Sequence, residues 1–250
     1  MKLHVLPTRT GAAAENMALD FLLLQRYPEA GTPRFRHYEW RRPAWTFGFG
    51  QKIALVRANL PAQENVDLCR RPTGGGIVDH RNDWTYTLVI PRGHVLYDER
   101  ATQSYRVVHE CVAAALGKCG QPAVVKTAVG PVERAGPNAL SGEAPGGPGA
   151  PSSGLCFQQA ELYDVVNAQT GAKVAGAAQK RNKHGLLLQG SLEKGSIGPV
   201  DWEELGANLA EELGRALGAE PSESPWPELD DEEVNGLIEQ YSAPEWLEYR

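Results

Sequence analysis

Apolar residues at Ala13, Met17, Phe21 and Leu24 recur with helical spacing across residues 12–27, and Pro28 closes that helix. A short strand precedes it at residues 2–5. Residues 34–40 alternate and are rich in aromatics, which predicts a strand, and residues 45–50 (Trp-Thr-Phe-Gly-Phe-Gly) read as a second strand interrupted by glycine. From 84 to 90, Trp84, Tyr86, Leu88 and Ile90 alternate with Thr85, Thr87 and Val89, a strand with one face more deeply buried. Val108, Cys111, Val112, Ala115 and Leu116 form the stripe of a helix over 102–118, stopped by Gly120 and Pro122. Residues 162–167 and 172–176 read as a hairpin and 185–190 as a further strand. Asp201, with Glu204 three positions on, is the N-cap of a helix to about 217; a last helix covers 231–241, acidic in its first turn. Strands interleaved with helices and then followed by a helical tail predict an α/β or α+β class.

Residues 128–154 follow neither period. They are rich in Gly, Pro, Ala and Ser, and are read as a mobile insertion in a single domain. At 250 residues the chain can bury one sizeable core. A formal charge of -6 with dispersed cations argues against a nucleic-acid partner. The densest basic group, Arg34, Arg36, Arg41 and Arg42, reads as a solvated strand edge or a local anion site. No run of about 20 apolar residues suits a membrane span, and the start lacks a secretory pattern, so a cytoplasmic protein is expected. Cys69, Cys111, Cys119 and Cys156 form no C-x-x-C pair; free thiols are expected and a zinc site is not.

Four features can carry chemistry. In Arg70-Arg71-Pro72-Thr73-Gly74-Gly75-Gly76 the glycine N–H groups are unshielded, which suits either a carbonyl- or anion-binding loop or a plain flexible turn. The run lacks the spacing of phosphate-binding or dinucleotide motifs. His80, before the polar Arg81-Asn82-Asp83, is expected at the exposed start of its strand, as a general acid or base or as a surface turn residue. Cys156 stands at the end of the 128–154 insertion beside Phe157, where a thiolate can accept an acyl group, whereas Cys111 and Cys119 read as packing residues. Lys173 lies among small and apolar residues, partly exposed, as an oxyanion-stabilising ammonium or a snorkelling strand lysine.

Taken in order, the 70–76 stretch with His80 and Tyr86, then Cys156-Phe157, then Lys173-Val174-Ala175-Gly176-Ala177-Ala178-Gln179 resemble the lipoate-protein ligase and octanoyltransferase family. Met17-Ala18-Leu19-Asp20, Trp40, residues 47–51, Tyr241-Ser242 and Trp246 extend the resemblance over nearly the whole chain. It implies a biotin/lipoate ligase-like α+β fold, a mixed and largely antiparallel sheet flanked by helices. It also implies transfer of an octanoyl group from an acyl carrier protein to a lysine of lipoyl domains, those of the glycine cleavage H protein or of 2-oxoacid dehydrogenase E2. In the octanoyltransferase branch the cysteine of the Cys-Phe pair takes the acyl group as a thioester, and Cys156 matches it. Lys173 then polarises the carbonyl, and Arg70, Arg71, Thr73, Gly74, Gly75, Gly76, His80 and Gly176 form the substrate-binding set. No metal or redox cofactor is implied; ATP with Mg enters only in the ligase branch. That branch usually has a sizeable C-terminal accessory domain, and only about fifty residues follow Pro199 here. An amidotransferase between lipoyl domains and a non-catalytic acyl-binding paralogue stay open. Two departures stand out: Gln189 where the family commonly has histidine, and Gly-Ala-Ala after Val174-Ala175 where Gly-Ser-Ala is commoner.

Overall fold

The structure is a computed structural model that describes residues 1–60, 65–127 and 160–249. Along the chain run β1 (Lys2–Gly11), α1 (Ala13–Gln25), β2 (Arg34–Trp40), β3 (Ala44–Phe47), α2 (Ile53–Asn59), β4 (Asp67–Arg70), β5 (Ile77–Asp79) and β6 (Asp83–Pro91). Then follow α3 (Val95–Asp98), α4 (Ala101–Lys118), β7 (Ala123–Val125), β8 (Val165–Asn167), β9 (Lys173–Asn182) and β10 (Gly185–Glu193). The last part holds α5 (Trp202–Leu217), β11 (Glu220–Glu223), α6 (Asp231–Ser242) and α7 (Pro244–Leu247).

An eight-stranded sheet has the order β11-β1-β2-β6-β10-β9-β8-β7, and a three-stranded sheet the order β4-β3-β5. In the large sheet only β1 pairs in parallel, with β11 and β2; the other pairings are antiparallel. The fold is thus the mixed, largely antiparallel α+β class that the sequence led us to expect. The 128–154 segment lies outside the described residues. Among those described, no helix is long and apolar enough to cross a membrane.

Helix ends follow local chemistry. The Asp201 carboxylate accepts from the N–H groups of Glu203 and Glu204, satisfying orphan donors of the first turn of α5, and Gly218 at φ 59° ends that helix. The Asp230 side chain does the same for α6 through the Glu233 N–H.

Trp84, Tyr86, Leu88 and Ile90 of β6, with Leu186, Leu188 and Leu192 of β10, pack under the apolar stripes of α4 and α5. Val89 and Leu187 point the other way, onto Leu23 and Leu24 of α1. Both faces of β6 are therefore covered, and all nine of its residues are buried, where alternation alone suggested one deep face. Thr85 and Thr87 face the α1 side, where the small sheet also lies and a polar site is built.

Arg34 and Arg36 correct the solvated-edge reading. Both are buried: Arg34 donates to the carbonyls of Leu23, Leu24 and Thr32, and Arg36 pairs with Asp20 of α1 at 2.7 Å. Neither forms an exposed anion site. Arg41 and Arg42 are the exposed pair, bonded to Glu15 and Asp67.

Candidate functional site

A cavity opens between Gly75 of the glycine loop and β9, lined mainly by apolar groups. Met17, Tyr38, Trp40, Val78, Ala177 and Ala178 supply its apolar walls; Arg71, Gly75, His80, Lys173, Gly176 and Gln189 bring polar or backbone groups to it.

The glycine loop is held from below. Carbonyls of Thr73 and Gly76 accept from the N–H groups of Phe49 and Gly48, the Gly75 carbonyl accepts from the Gln51 amide, and Arg71 donates to the carbonyls of Gly74 and Gly76. Gly75 has φ 87°, a conformation that favours glycine. Close approach also explains Gly48: a Cβ there would lie 2.1 Å from the Gly75 carbonyl oxygen. With the carbonyls so engaged, the N–H groups of Gly74, Gly75 and Gly76 donate to no acceptor among the described residues.

Arg70, in contrast, does not line the cavity. Its buried guanidinium donates to the carbonyls of Phe49, Gln51, Trp246 and Leu247, and the Trp246 indole donates back to the Arg70 carbonyl. In the structure these bonds fasten α7 beneath the loop. A planar fork with five donors suits a ring of carbonyls, and nothing in the motif distinguishes that use from anion binding.

His80 is buried, contrary to its expected exposure. Its ring stacks on Trp40 with centroids 4.1 Å apart; Nδ1 meets Asp83 at 2.6 Å and Nε2 meets the Thr46 hydroxyl at 2.7 Å. Arg71 donates to the same hydroxyl oxygen at 2.7 Å. In the neutral ring this arrangement fixes the Nδ1–H tautomer, with Thr46 donating to Nε2. Burial acts to raise the Asp83 pKa, but His80 and the Ser191 and Thr85 hydroxyls outweigh it and hold the carboxyl below its ordinary range. The polar sequence Arg81-Asn82-Asp83 hid this because Asp83 turns inward while Arg81 pairs with Asp79 outside.

Lys173 is buried too, and has a partner that sequence reasoning missed. Its ammonium lies 2.7 Å from the fully buried Asp164, whose other oxygen accepts from Tyr105 at 2.5 Å. Burial first, and then Asp164, push the Tyr105 phenol well above its ordinary pKa, so it remains a donor. A register irregularity between Val165 and Val166 brings Lys173 opposite Val166 and Ala175 opposite Val165. The lysine end then folds back across Gly176, where a Cβ would lie 2.9 Å from both Cε and Nζ. Only a residue without a side chain leaves that path open. No spacing rule links Lys173 to Asp164 nine positions earlier; their proximity follows from the β8–β9 hairpin.

Gln189, at the position where histidine is common, is also engaged. It accepts from Thr73 and donates to Asp20, both at 2.7 Å, and so joins the glycine loop to the Asp20–Arg36 pair. Cys69 and Cys111 are buried free thiols pushed up to about 12, first of all by burial, which suits packing rather than reaction. Cys119 is free and half-buried. Cys156 lies outside the described residues. Among those described, no group of three or more His, Cys, Asp or Glu could hold a metal ion.

The profile of the lipoyl protein ligase A/B catalytic domain matches residues 12–195. Octanoyltransferase LipM of Halalkalibacterium halodurans is 30% identical over 181 residues, covering 72% of this chain and 61% of that protein. The match thus spans less than two thirds of that relative's length. The LipM of Kyrpidia tusciae is 28% identical over 282 residues and is covered to 97%, as is this chain. Among solved structures, a bi-partite lipoate protein ligase from Thermoplasma acidophilum superposes with a TM-score of 0.70 at 18% identity, covering 100% of this chain and 98% of that one. Lipoate-protein ligase A bound with ATP gives 0.69 at 18% identity, with 99% of each chain covered; likeness at this identity speaks to the fold. On the extent of the profile match, the chain belongs to the lipoyl protein ligase A/B catalytic domain family.

Proposed function

We propose that this chain is a cytoplasmic acyltransferase that moves an octanoyl group from an acyl carrier protein to a lysine of lipoyl domains through a thioester at Cys156. The observation that carries the reading is the pairing across one apolar cavity of a fixed Lys173 ammonium with a glycine loop whose N–H groups have no acceptor among the described residues. Cationic and N–H donors facing a carbonyl stabilise the oxyanion of acyl transfer, and the apolar walls suit an alkyl chain. The curated relatives called octanoyltransferase LipM support the choice of acyl group and reaction.

Cys156 precedes Ala160 by four residues, a chain reach of about 14 Å. The Ala160 carbonyl accepts from Lys126, and the Glu161 N–H bonds the same Asp164 oxygen that Lys173 contacts. In this reading the Cys156 thiol is the acyl acceptor that Lys173 serves. The Cys156 thiolate attacks the carrier's thioester carbonyl, the oxyanion collapses, and the carrier's thiol leaves with the proton given up by Cys156. The target amine then attacks the acyl-enzyme, forming the amide and restoring the cysteine thiol. Both exchanges are redox-neutral and need neither metal nor nucleotide. The H protein of glycine cleavage and the E2 subunits of 2-oxoacid dehydrogenases are the acceptors in this reading.

Intact-mass spectrometry after incubation with octanoyl-carrier protein, without ATP, tests it. A hydroxylamine-labile octanoyl adduct at Cys156, absent in Cys156→Ala, is expected. Full turnover of Cys156→Ala on lipoate plus ATP would replace this reading with the ligase one.

A further inference from the structure

We propose that Asp164 is the positioning residue of this site: its carboxylate fixes the Lys173 ammonium and ties it to the backbone at Glu161, while Tyr105 fixes the carboxylate. The proposal rests on the acyl-transfer reading above for its functional meaning, but its geometry stands on the described residues alone.

Asp164 is fully buried, and both of its oxygens are engaged. One oxygen receives two donors, the Lys173 ammonium and the Glu161 N–H, each at 2.7 Å. The other receives the Tyr105 hydroxyl, whose own oxygen accepts from the Ala177 N–H at 3.2 Å. One carboxylate thereby joins the turn at 161–164, helix α4 and strand β9. A carboxylate is needed for this: it accepts at every lone pair, whereas an amide in its place would turn an NH2 group against one of these donors.

The turn that presents Asp164 is itself fixed. Lys126 donates its backbone N–H to the Asp164 carbonyl and accepts from the Tyr163 N–H, both at 2.8 Å. His109 meets the Tyr163 carbonyl through Nδ1 at 2.6 Å. Tyr163 sits at φ 69°, a left-handed conformation that a tyrosine adopts only where its surroundings impose it. These bonds use the local backbone groups to hold one carboxylate in place, and a carboxylate so held dictates where a lysine with four methylenes can end. Misplacing a catalytic group by about 1 Å can cost on the order of a hundredfold in rate.

The experiment compares wild type, Asp164→Asn and Tyr105→Phe in single-turnover formation of the acyl-enzyme, with octanoyl-carrier concentration varied. Asp164→Asn should lower the maximal rate about a hundredfold and change half-saturation less than about twofold, because the ammonium is misplaced while the acyl chain still binds. Tyr105→Phe keeps the ion pair but frees one carboxylate oxygen, and should slow the maximal rate about tenfold with half-saturation unchanged. A folded Asp164→Asn with the wild-type rate, or with its loss in half-saturation and not in maximal rate, would overturn the proposal. Should that variant not fold, a wild-type rate in Tyr105→Phe would do so.

A second readout needs no turnover. Acylation of the Lys173 amine by acetic anhydride, followed by peptide mass spectrometry, should be faster in Asp164→Asn than in wild type, and equal rates would overturn the proposal. Absence of any Cys156 adduct in wild type would instead remove the transfer reading and leave this comparison to decide the lysine's anchor.

Discussion

Substituting alanine at Gly176 separates the placing of Lys173 from the making of the fold. The new Cβ would stand 2.9 Å from the lysine Cε and Nζ and 3.4 Å from the nearer Asp164 oxygen, whereas ordinary contact begins near 3.4 Å. The ammonium, as the far end of a flexible chain, must give way by about half an ångström, and the backbone need not. Half the displacement that costs about a hundredfold corresponds to roughly a tenfold loss in the maximal rate of acyl-enzyme formation. Stability should scarcely change. Replacing glycine in a strand gains about 0.5–1 kcal/mol, which offsets a loosened ion pair, so the midpoint of thermal unfolding should stay within about 4 °C. Single-turnover kinetics and calorimetry on the same preparation read both quantities. A wild-type rate, or a fall of more than about 10 °C, would refute the reasoning. Gly48→Ala is the contrast: its Cβ meets the carbonyl and carbon of Gly74 and Gly75 at 2.1 to 2.6 Å, backbone that cannot swing aside, so rate and stability should fall together.

Burial pushes the His109 imidazole down to about 4. The unfolded chain takes up the proton first, so the associated stability is intact above about pH 6.5 and is lost as pH falls toward 4, some 3 kcal/mol in all. Urea unfolding at pH 7 and pH 4 should show this limb, and His109→Gln, which has no such proton to bind, should flatten it; an unchanged slope counts against the assignment. Arg70→Lys cannot reproduce a planar fork over four carbonyls and should cost about 3 kcal/mol, with hydrogen exchange rising in residues 246–249. Wild-type protection of those amides would show that Arg70 does not fasten them.

The main layers were legible because periodicity reports burial: β2, α4, α5 and α6 fall within a residue or so of their expected bounds. What periodicity missed was short or polar. β4 and β5 have four and three residues, and β11 reads Glu-Pro-Ser-Glu, which only an edge position tolerates. Polar residues misled in another way. Arg36 and His80 carry the look of a surface, yet each is buried because a carboxylate meets it inside, Asp20 from a helix and Asp83 from the next strand. Such pairings depend on which elements lie side by side, and a one-dimensional pattern does not contain that. The glycine run, Lys173 and Gly176 were legible as a group only through the family resemblance; their shared cavity came from the fold.

The fastening of Arg70 by Trp246 and Leu247 has a consequence for how the chain is made. Strand β1 likewise takes its outer neighbour from residues 220–223. During synthesis on the ribosome, neither the glycine loop nor the first strand can reach its final contacts until almost all of these 250 residues have emerged. Nascent chains therefore hold a loosely fastened glycine loop and a bare sheet edge until β11, α6 and α7 dock.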